Sequence, residues 1–301
     1  MINILELKEI CSRYGCKYSE KCMLSSNTTF RIGGECTLLI DVNSAECAAE
    51  LVRYLRRSKI KYTVLGKGSN IIASDKGYDG IILRIASDFS DISAEGTIIR
   101  AEAGASLAAV CRKAQENNLS GMENLYGIPG AVGGGLYMNA GAYGSEMKDV
   151  VVSAEYIDEN GEICTMSAED MMLSYRHSIF SENNFIITAV TFSLTEGDGE
   201  AIKEAMTECM KKRSSKQPLE YPSAGSTFKR PEGSYASLLI EQCGLKGMAV
   251  GGAEVSTKHS GFVINKGGAT CEDVLELCRR VREIVLEKTG YSLELEPIIL
   301  E

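Results

Sequence analysis

Gly127-Ile128-Pro129-Gly130-Ala131-Val132-Gly133-Gly134-Gly135, followed by Asn139-Ala140-Gly141-Ala142-Tyr143-Gly144, carries more glycine than a helix interior or a central strand tolerates cheaply. Each glycine inside such an element costs about 0.5–1 kcal/mol relative to alanine. The run predicts irregular backbone, opened for close approach of a flat or anionic ligand or for tight turns in a long loop. A second cluster, Leu65-Gly66-Lys67-Gly68-Ser69-Asn70-Ile71, follows the strand-like segment Tyr62 to Gly66. Glycines after a strand let backbone amides reach a phosphate. The dinucleotide fingerprint requires glycine at the sixth position and a helix beyond it. Here Ile71 and the turn Ala73-Ser74-Asp75-Lys76-Gly77 stand instead, so a Rossmann site is excluded. One large phosphate-bearing ligand explains two glycine clusters better than two unrelated turns.

The rest of the chain is of an ordinary globular kind. It has 301 residues, 44% hydrophobic and 24% charged, with 30 Gly, 11 Cys, two His, no Trp and a formal net charge of −9. An acidic balance argues against nucleic acid or an anionic membrane as partner, since both need a cationic footprint. Lys8 and Glu6 interrupt the apolar N-terminus, so it reads as neither signal peptide nor membrane span. The expected location is the cytoplasm. The cysteines form no Cys-x-x-Cys pair, and in a cytosolic chain scattered cysteines read as small buried hydrophobes. The minor alternative is a metal cluster at Cys11, Cys16 and Cys22.

Periodicity predicts a mixed α and β chain. Asn43 and Glu46 read as a capping box before an apolar face of Cys47, Ala48, Leu51, Val52 and Leu55. Segments 80–85 and 97–101 read as strands, and Ser106 as the cap of a helix. Segments 150–157 and 163–167 read as a hairpin joined through Asn160-Gly161. After about residue 198 helices dominate, led by Ile202, by Ser234 and by the long 270–288 stretch, with Gly244 and Gly290 at C-cap positions. The run 292–300 reads as a closing strand.

Three further segments hold polar groups among small or apolar ones. Ser226, in Pro222-Ser223-Ala224-Gly225-Ser226-Thr227-Phe228, precedes Lys229 and Arg230 and belongs to no Ser-His-Asp arrangement. A serine beside two cations suits anion binding, or proton donation to a carbanion; a solvated polar loop is the plain alternative. In Ser174-Tyr175-Arg176-His177 a planar cationic fork suits a carboxylate or phosphate. In Leu293-Glu294-Leu295-Glu296 alternation puts both glutamates on one strand face, by default the solvent face. A carboxyl there could act as an acid if that face met a cleft.

Taken in order along nearly the whole chain, these segments resemble the UDP-N-acetylenolpyruvoylglucosamine reductases, flavoenzymes of peptidoglycan precursor synthesis. The resemblance runs from Asn27-Thr28-Thr29-Phe30-Arg31-Ile32-Gly33-Gly34 through both glycine clusters, Tyr175-Arg176 and Ala224-Gly225-Ser226. It continues through Gly244-Leu245-Lys246-Gly247 and Lys258-His259-Ser260-Gly261-Phe262 to Leu293-Glu294-Leu295-Glu296. It implies an α+β fold: a two-subdomain FAD-binding fold of the p-cresol methylhydroxylase type plus a C-terminal α+β substrate domain. The implied division is 1–84 with 290–301 returning to it, 85–197, and 198–289. FAD contacts are implied at Leu65, Gly66, Lys67, Gly68, Ser69, Asn70, Ile71, Pro129, Gly130, Gly133, Gly134, Asn139, Ala140, Gly141 and Ala142. NADPH would reduce FAD at N5, and the enolpyruvyl ether of the UDP-sugar would then accept hydride. Ser226 corresponds to the proton donor, and Arg176 and Glu296 to the residues that stabilise the enolic intermediate. Tyr175, Lys229, Arg230, Lys246 and His259 stand where the family contacts substrate; no metal is implied, and a monomer is expected. Two departures mark this chain. Pro297-Ile298 replace the family's usual Val-Arg after the glutamate, and the tyrosine-bearing lid of one branch has no counterpart, as in the shorter second form.

Overall fold

The computed structural model describes residues 4–183 and 185–301. The chain divides into two compact units: Met1–Glu20, Leu38–Gly66 and Gly80–Lys211 form one, and Lys21–Thr37, Lys67–Asp79 and Lys212–Glu301 the other.

The first unit is built on a five-stranded antiparallel sheet in the order Ile163–Ser167, Val151–Ile157, Ile186–Ser193, Ile98–Glu102, Ile92–Glu95. Its central strand is buried on both faces along most of its length, which an almost unbroken apolar run permits. Ala154 faces Val190 on that strand, and Val190 faces Ala101 on the next. The 151–157 and 163–167 strands pair as the Asn160-Gly161 signal predicts, with Gly161 at φ +80°. The second sheet in this region runs Tyr18–Met23, Glu35–Val42, Tyr78–Ile85, Tyr62–Leu65, and its last two strands are parallel. Leu38, Ile40, Leu51, Leu55, Ile81, Leu83, Ile99, Val110 and Phe192 join one apolar core. Burial of a side chain of this size contributes about 1.5–3 kcal/mol.

Two expectations need correcting in this unit. Helix Ala45–Arg57 is capped by Ser44, whose side chain accepts from the Cys47 N–H, and not by Asn43. The Asn43 amide is used elsewhere, donating to the Tyr14 carbonyl. The glycine run is not wholly irregular either: Val132–Tyr137 is a six-residue helix. The reason is close packing. A Cβ at Gly133 would lie 2.9 Å from the Ala103 Cβ, and one at Gly135 3.2 Å from Leu107 Cδ1, so only glycine lets the helix lie this near its neighbours. Ser106 caps Leu107–Glu116 as predicted, accepting from the Ala109 N–H.

The second unit has an antiparallel sheet of Ala249–Val250, Ala253–Val255 and Val263–Asn265, with helices Ala236–Gln242 and Cys271–Thr289. Thr270 and Asp273 form a capping box at the start of the long helix. Asp75, far away in sequence, accepts from the Cys271 and Glu272 N–H groups at that same end. Gly290, at φ +76°, ends the helix in the left-handed region. Phe30, Ile72, Phe228, Ile240, Val263, Val274, Leu277, Val281 and Leu293 make its core. The closing strand is shorter than 292–300: only Ile298–Leu300 is regular, pairing in parallel with Ile71–Ala73, because Pro297 interrupts the segment.

Nine of the eleven cysteines are buried, and all are free thiols. Among the described residues no cluster of three or more His, Cys, Asp or Glu side chains is placed to hold a metal ion, and no helix is long and apolar enough to cross a membrane.

Candidate active site

In the first unit Leu65 ends its strand buried and Gly66 follows with bare backbone. A Cβ built at Gly66 would meet only the Ala131 Cβ, at 4.0 Å, and one at Gly134 would meet nothing within 4 Å. The start of the glycine helix is fastened by Leu107 N–H to the Gly130 carbonyl (3.1 Å), Val132 N–H to Ala105 (2.8 Å) and Gly133 N–H to Ala103 (2.9 Å). Ala103 N–H in turn donates to the Thr188 carbonyl at 2.8 Å. The hydroxyl of Thr188 is 1% exposed and has no hydrogen-bond partner among the described residues. Open space over bare backbone at Gly66 and Gly134 fits close approach of a large polar ligand such as FAD. Gly133 and Gly141 have packing reasons of their own, Gly141 being crowded by Ser145 and Glu146.

Tyr175 and Arg176 lie on a tight turn in which Ser174 and His177 exchange backbone hydrogen bonds at 3.1 and 3.2 Å. Arg176 has φ +55°, a left-handed conformation that an arginine adopts only when its surroundings hold it there. They do so through side chains. Asn139, fully buried, donates to the Ser174 carbonyl (2.9 Å) and to Glu146 Oε2 (3.1 Å), and its Oδ1 accepts from the Lys148 N–H (2.9 Å). Ser178 Oγ donates to the Tyr137 carbonyl at 2.7 Å, and His177 Nε2 lies 2.8 Å from Glu182 Oε1. The guanidinium of Arg176 lies 5.0 Å from the Tyr175 ring centroid. Asn139 therefore spends its side chain on the protein, tying the end of the glycine segment to the arginine turn. Sequence reading assigned it only to the cofactor; its partners lie up to 35 positions away and no local spacing signals them.

In the second unit three segments far apart in sequence meet on their main chains. Glu296 N–H donates to the Thr227 carbonyl (3.0 Å), Lys229 N–H donates to the Glu294 carbonyl (2.8 Å), and Phe228 pairs with Leu295. Asn70 Nδ2 donates to the Glu296 carbonyl at 3.3 Å, while Ile298 N–H donates to the Asn70 carbonyl at 2.9 Å. The segments carrying Ser226 and Glu296 are thus held side by side by main-chain hydrogen bonds around one isolated bridge, with Asn70 of the second glycine cluster beside them. Ser226 is exposed and Glu296 half-buried. Thr227 is buried and its hydroxyl accepts from the Val263 N–H at 2.8 Å, which fixes the residue next to Ser226. Gly68, at φ +62°, lets the cluster turn against Asn27 and Thr28.

The three cations assigned to substrate in this unit each have a neighbour. Lys229 Nζ is 3.6 Å from Glu294, Lys246 Nζ is 2.6 Å from Glu241, and Arg230 lies over Tyr235 at 4.6 Å. His259 is half-buried, with Nδ1 accepting from the Gly261 N–H (3.1 Å) and its ring edge-on to Phe262 (5.0 Å). Burial holds its pKa below the ordinary histidine value, assisted by the Lys246 charge. A neutral imidazole whose Nδ1 accepts keeps its proton on Nε2.

Known proteins match both units. Residues 37–167 match the FAD binding domain family, and residues 217–300 match the family described as the C-terminal domain of UDP-N-acetylenolpyruvoylglucosamine reductase. The UDP-N-acetylenolpyruvoylglucosamine reductase of Caldanaerobacter subterraneus subsp. tengcongensis is 48% identical over 270 residues, covering 90% of this chain and 89% of that protein. That of Clostridium novyi is 44% identical over 91% of this chain and 89% of its own length. The crystal structure of the Thermus caldophilus enzyme superposes with a TM-score of 0.81 at 34% identity, over 95% of this chain and 99% of that one. Agreement at this level in sequence and in fold, over almost the full length of each relative, leaves one conclusion: the chain belongs to the UDP-N-acetylenolpyruvoylglucosamine reductase family.

Proposed function

We propose that the protein is an NADPH-dependent flavoenzyme that reduces UDP-N-acetylenolpyruvoylglucosamine to UDP-N-acetylmuramate in peptidoglycan precursor synthesis. Family membership over nine-tenths of the chain is the observation that carries this activity. FAD, when bound, would supply the hydride and be recharged by NADPH. The residues that would hold it are Leu65 to Ile71, Pro129, Gly130, Gly133, Gly134 and Asn139 to Ala142, with the open backbone at Gly66 and Gly134 as the observed support.

Hydride addition to the methylene carbon of the enolpyruvyl ether leaves negative charge on the carboxylate-bearing carbon, so the charge must be stabilised and the carbon protonated. Arg176 stabilises the enolate with its planar fork; its strained turn and its anchoring through Asn139 support a fixed orientation. Ser226 gives the proton. Its hydroxyl is exposed, while the buried Thr227 beside it is locked to Val263. Glu296, held to the Thr227 carbonyl and to Asn70, assists as a hydrogen-bond donor when protonated. Tyr175, Lys229, Arg230, Lys246 and His259 contact the sugar nucleotide. The 298–300 strand paired with 71–73 supports the return of 290–301 to the 1–84 segment, in a division of 1–84 with 290–301, 85–197 and 198–289. The protein works as a cytoplasmic monomer on small molecules, and its net charge of −9 supports the exclusion of nucleic acid.

The test is NADPH consumption by purified protein with and without the enolpyruvyl UDP-sugar, with the product weighed by mass spectrometry. Consumption only with the sugar, and a product two hydrogens heavier, is expected; consumption indifferent to the sugar would refute the assignment.

A further inference from the structure

The reaction uses none of the thiols, yet two of them are placed for chemistry of their own. Cys16 follows the helix Ile4–Tyr14, past Gly15 at φ +67°, and its N–H donates to the Cys11 carbonyl at 2.8 Å. Cys47 stands in the first turn of helix Ala45–Arg57, its N–H held by Ser44. Their Sγ atoms, 31 positions apart in sequence, lie 3.1 Å from each other. A disulfide needs about 2.05 Å between sulfurs, so closure requires a displacement of only about 1 Å. Asn43 fixes the approach: its Oδ1 accepts from the Cys16 thiol at 3.0 Å while its Nδ2 donates to the Tyr14 carbonyl at 2.9 Å.

The two thiols differ in the way that stepwise oxidation requires. The hydrogen bond from Cys47 brings the Cys16 thiol down to about 7, whereas the same contact and burial push Cys47 up. Burial also raises Cys11, to about 12, and with it Cys278, so neither competes as a thiolate near neutral pH. Cys16 retains 8% exposure and Cys47 none, which makes Cys16 the one a small oxidant meets first.

We propose that Cys16 and Cys47 are a peroxide-responsive pair that closes into an intramolecular disulfide and is reopened by a small thiol. The Cys16 sulfur displaces hydroxide from hydrogen peroxide and becomes a sulfenic acid. The Cys47 sulfur then attacks it, the S–S bond forms, and water leaves. Two thiols and one peroxide give one disulfide and two waters. The closed ring encloses residues 17–46 and ties the end of the first helix to the start of the second. Its main effect is on the unfolded chain, whose freedom it reduces.

The experiment treats the purified, reduced protein with a small excess of hydrogen peroxide, blocks remaining thiols, and maps peptides without reductant. A peptide pair joining Cys16 to Cys47, two hydrogens lighter than its parts, is expected. With it should come a rise in Tm of about 5 °C that dithiothreitol reverses and that C16S lacks. Catalytic turnover of C16S should match wild type. Recovery of Cys16 as a sulfinic acid, or as a thiol still open to alkylation after oxidation of the folded protein, would overturn the proposal, as would an equal Tm rise in C16S.

Discussion

Arg176 sits on a turn held by side chains, the buried Asn139 with Ser178 and His177, whereas the segments carrying Ser226 and Glu296 are joined by main-chain hydrogen bonds. The first arrangement rests on side-chain contacts, three of them made by the Asn139 amide, and the arginine backbone is strained at φ +55°. The second spreads it over several backbone pairs that no side-chain change removes. A catalytic group held by the main chain should lose its chemistry without losing its place; one held by a side chain should be disturbed from a distance.

Ser226→Ala tests the first half of that contrast and should have the largest effect. Sugar-nucleotide reduction by the reduced protein should fall roughly 10³-fold, with flavin reduction by NADPH and Tm nearly unchanged. Stopped-flow traces of the two half-reactions measure this, and equal losses in both would remove Ser226 from proton donation. Asn139→Ala tests the second half. Releasing the Ser174 carbonyl and the Lys148 N–H should cost about 2 kcal/mol of stability and lower turnover by roughly 10- to 100-fold, although Asn139 need never touch substrate. Unchanged turnover in a folded Asn139→Ala protein would break the comparison.

The glycine helix offers a finer version of the same contrast. Gly133→Ala should destabilise by about 1–3 kcal/mol because the new methyl meets Ala103. Gly134→Ala, with nothing within 4 Å, should leave Tm unchanged or slightly raised while weakening FAD binding. Thermal melts and flavin titrations separate the two. The smallest effect concerns His259. Its pKa is depressed in the folded protein, so the folded state resists protonation and stability is lost as pH falls below the unfolded value of about 6.5. His259→Gln removes that contribution, so the stability gap between wild type and variant should shift in the variant's favour between pH 7.5 and 5.5, read by denaturant melts at both pH values.

What could be read along the chain was what local chemistry decides. The Ser106 cap, the Asn160-Gly161 hairpin and the Gly290 stop each depend on a few adjacent residues, and each is where it was expected. The cap at Ser44 was missed by one position because Asn43, which makes a capping-box spacing with Glu46, is drawn away by Tyr14. The glycine helix was missed because its justification is Ala103 and Leu107, which no window around residue 133 contains. For the site, residue types picked out Ser226 and Glu296, but only the fold shows that segments 226–229 and 294–296 are joined by main-chain hydrogen bonds beside Asn70. The anchoring role of Asn139 had no local signal at all, since Ser174 is brought to it by the folding of the intervening sheet.

The account is tested most directly by an anaerobic absorbance record of the flavin band as NADPH and then the enolpyruvyl UDP-sugar are added. The protein should be yellow, bleach with NADPH, and regain its colour with the sugar at a rate that Ser226→Ala slows roughly 10³-fold. Protein that stays colourless after FAD is supplied, or a bleached band that the sugar does not restore, would contradict it.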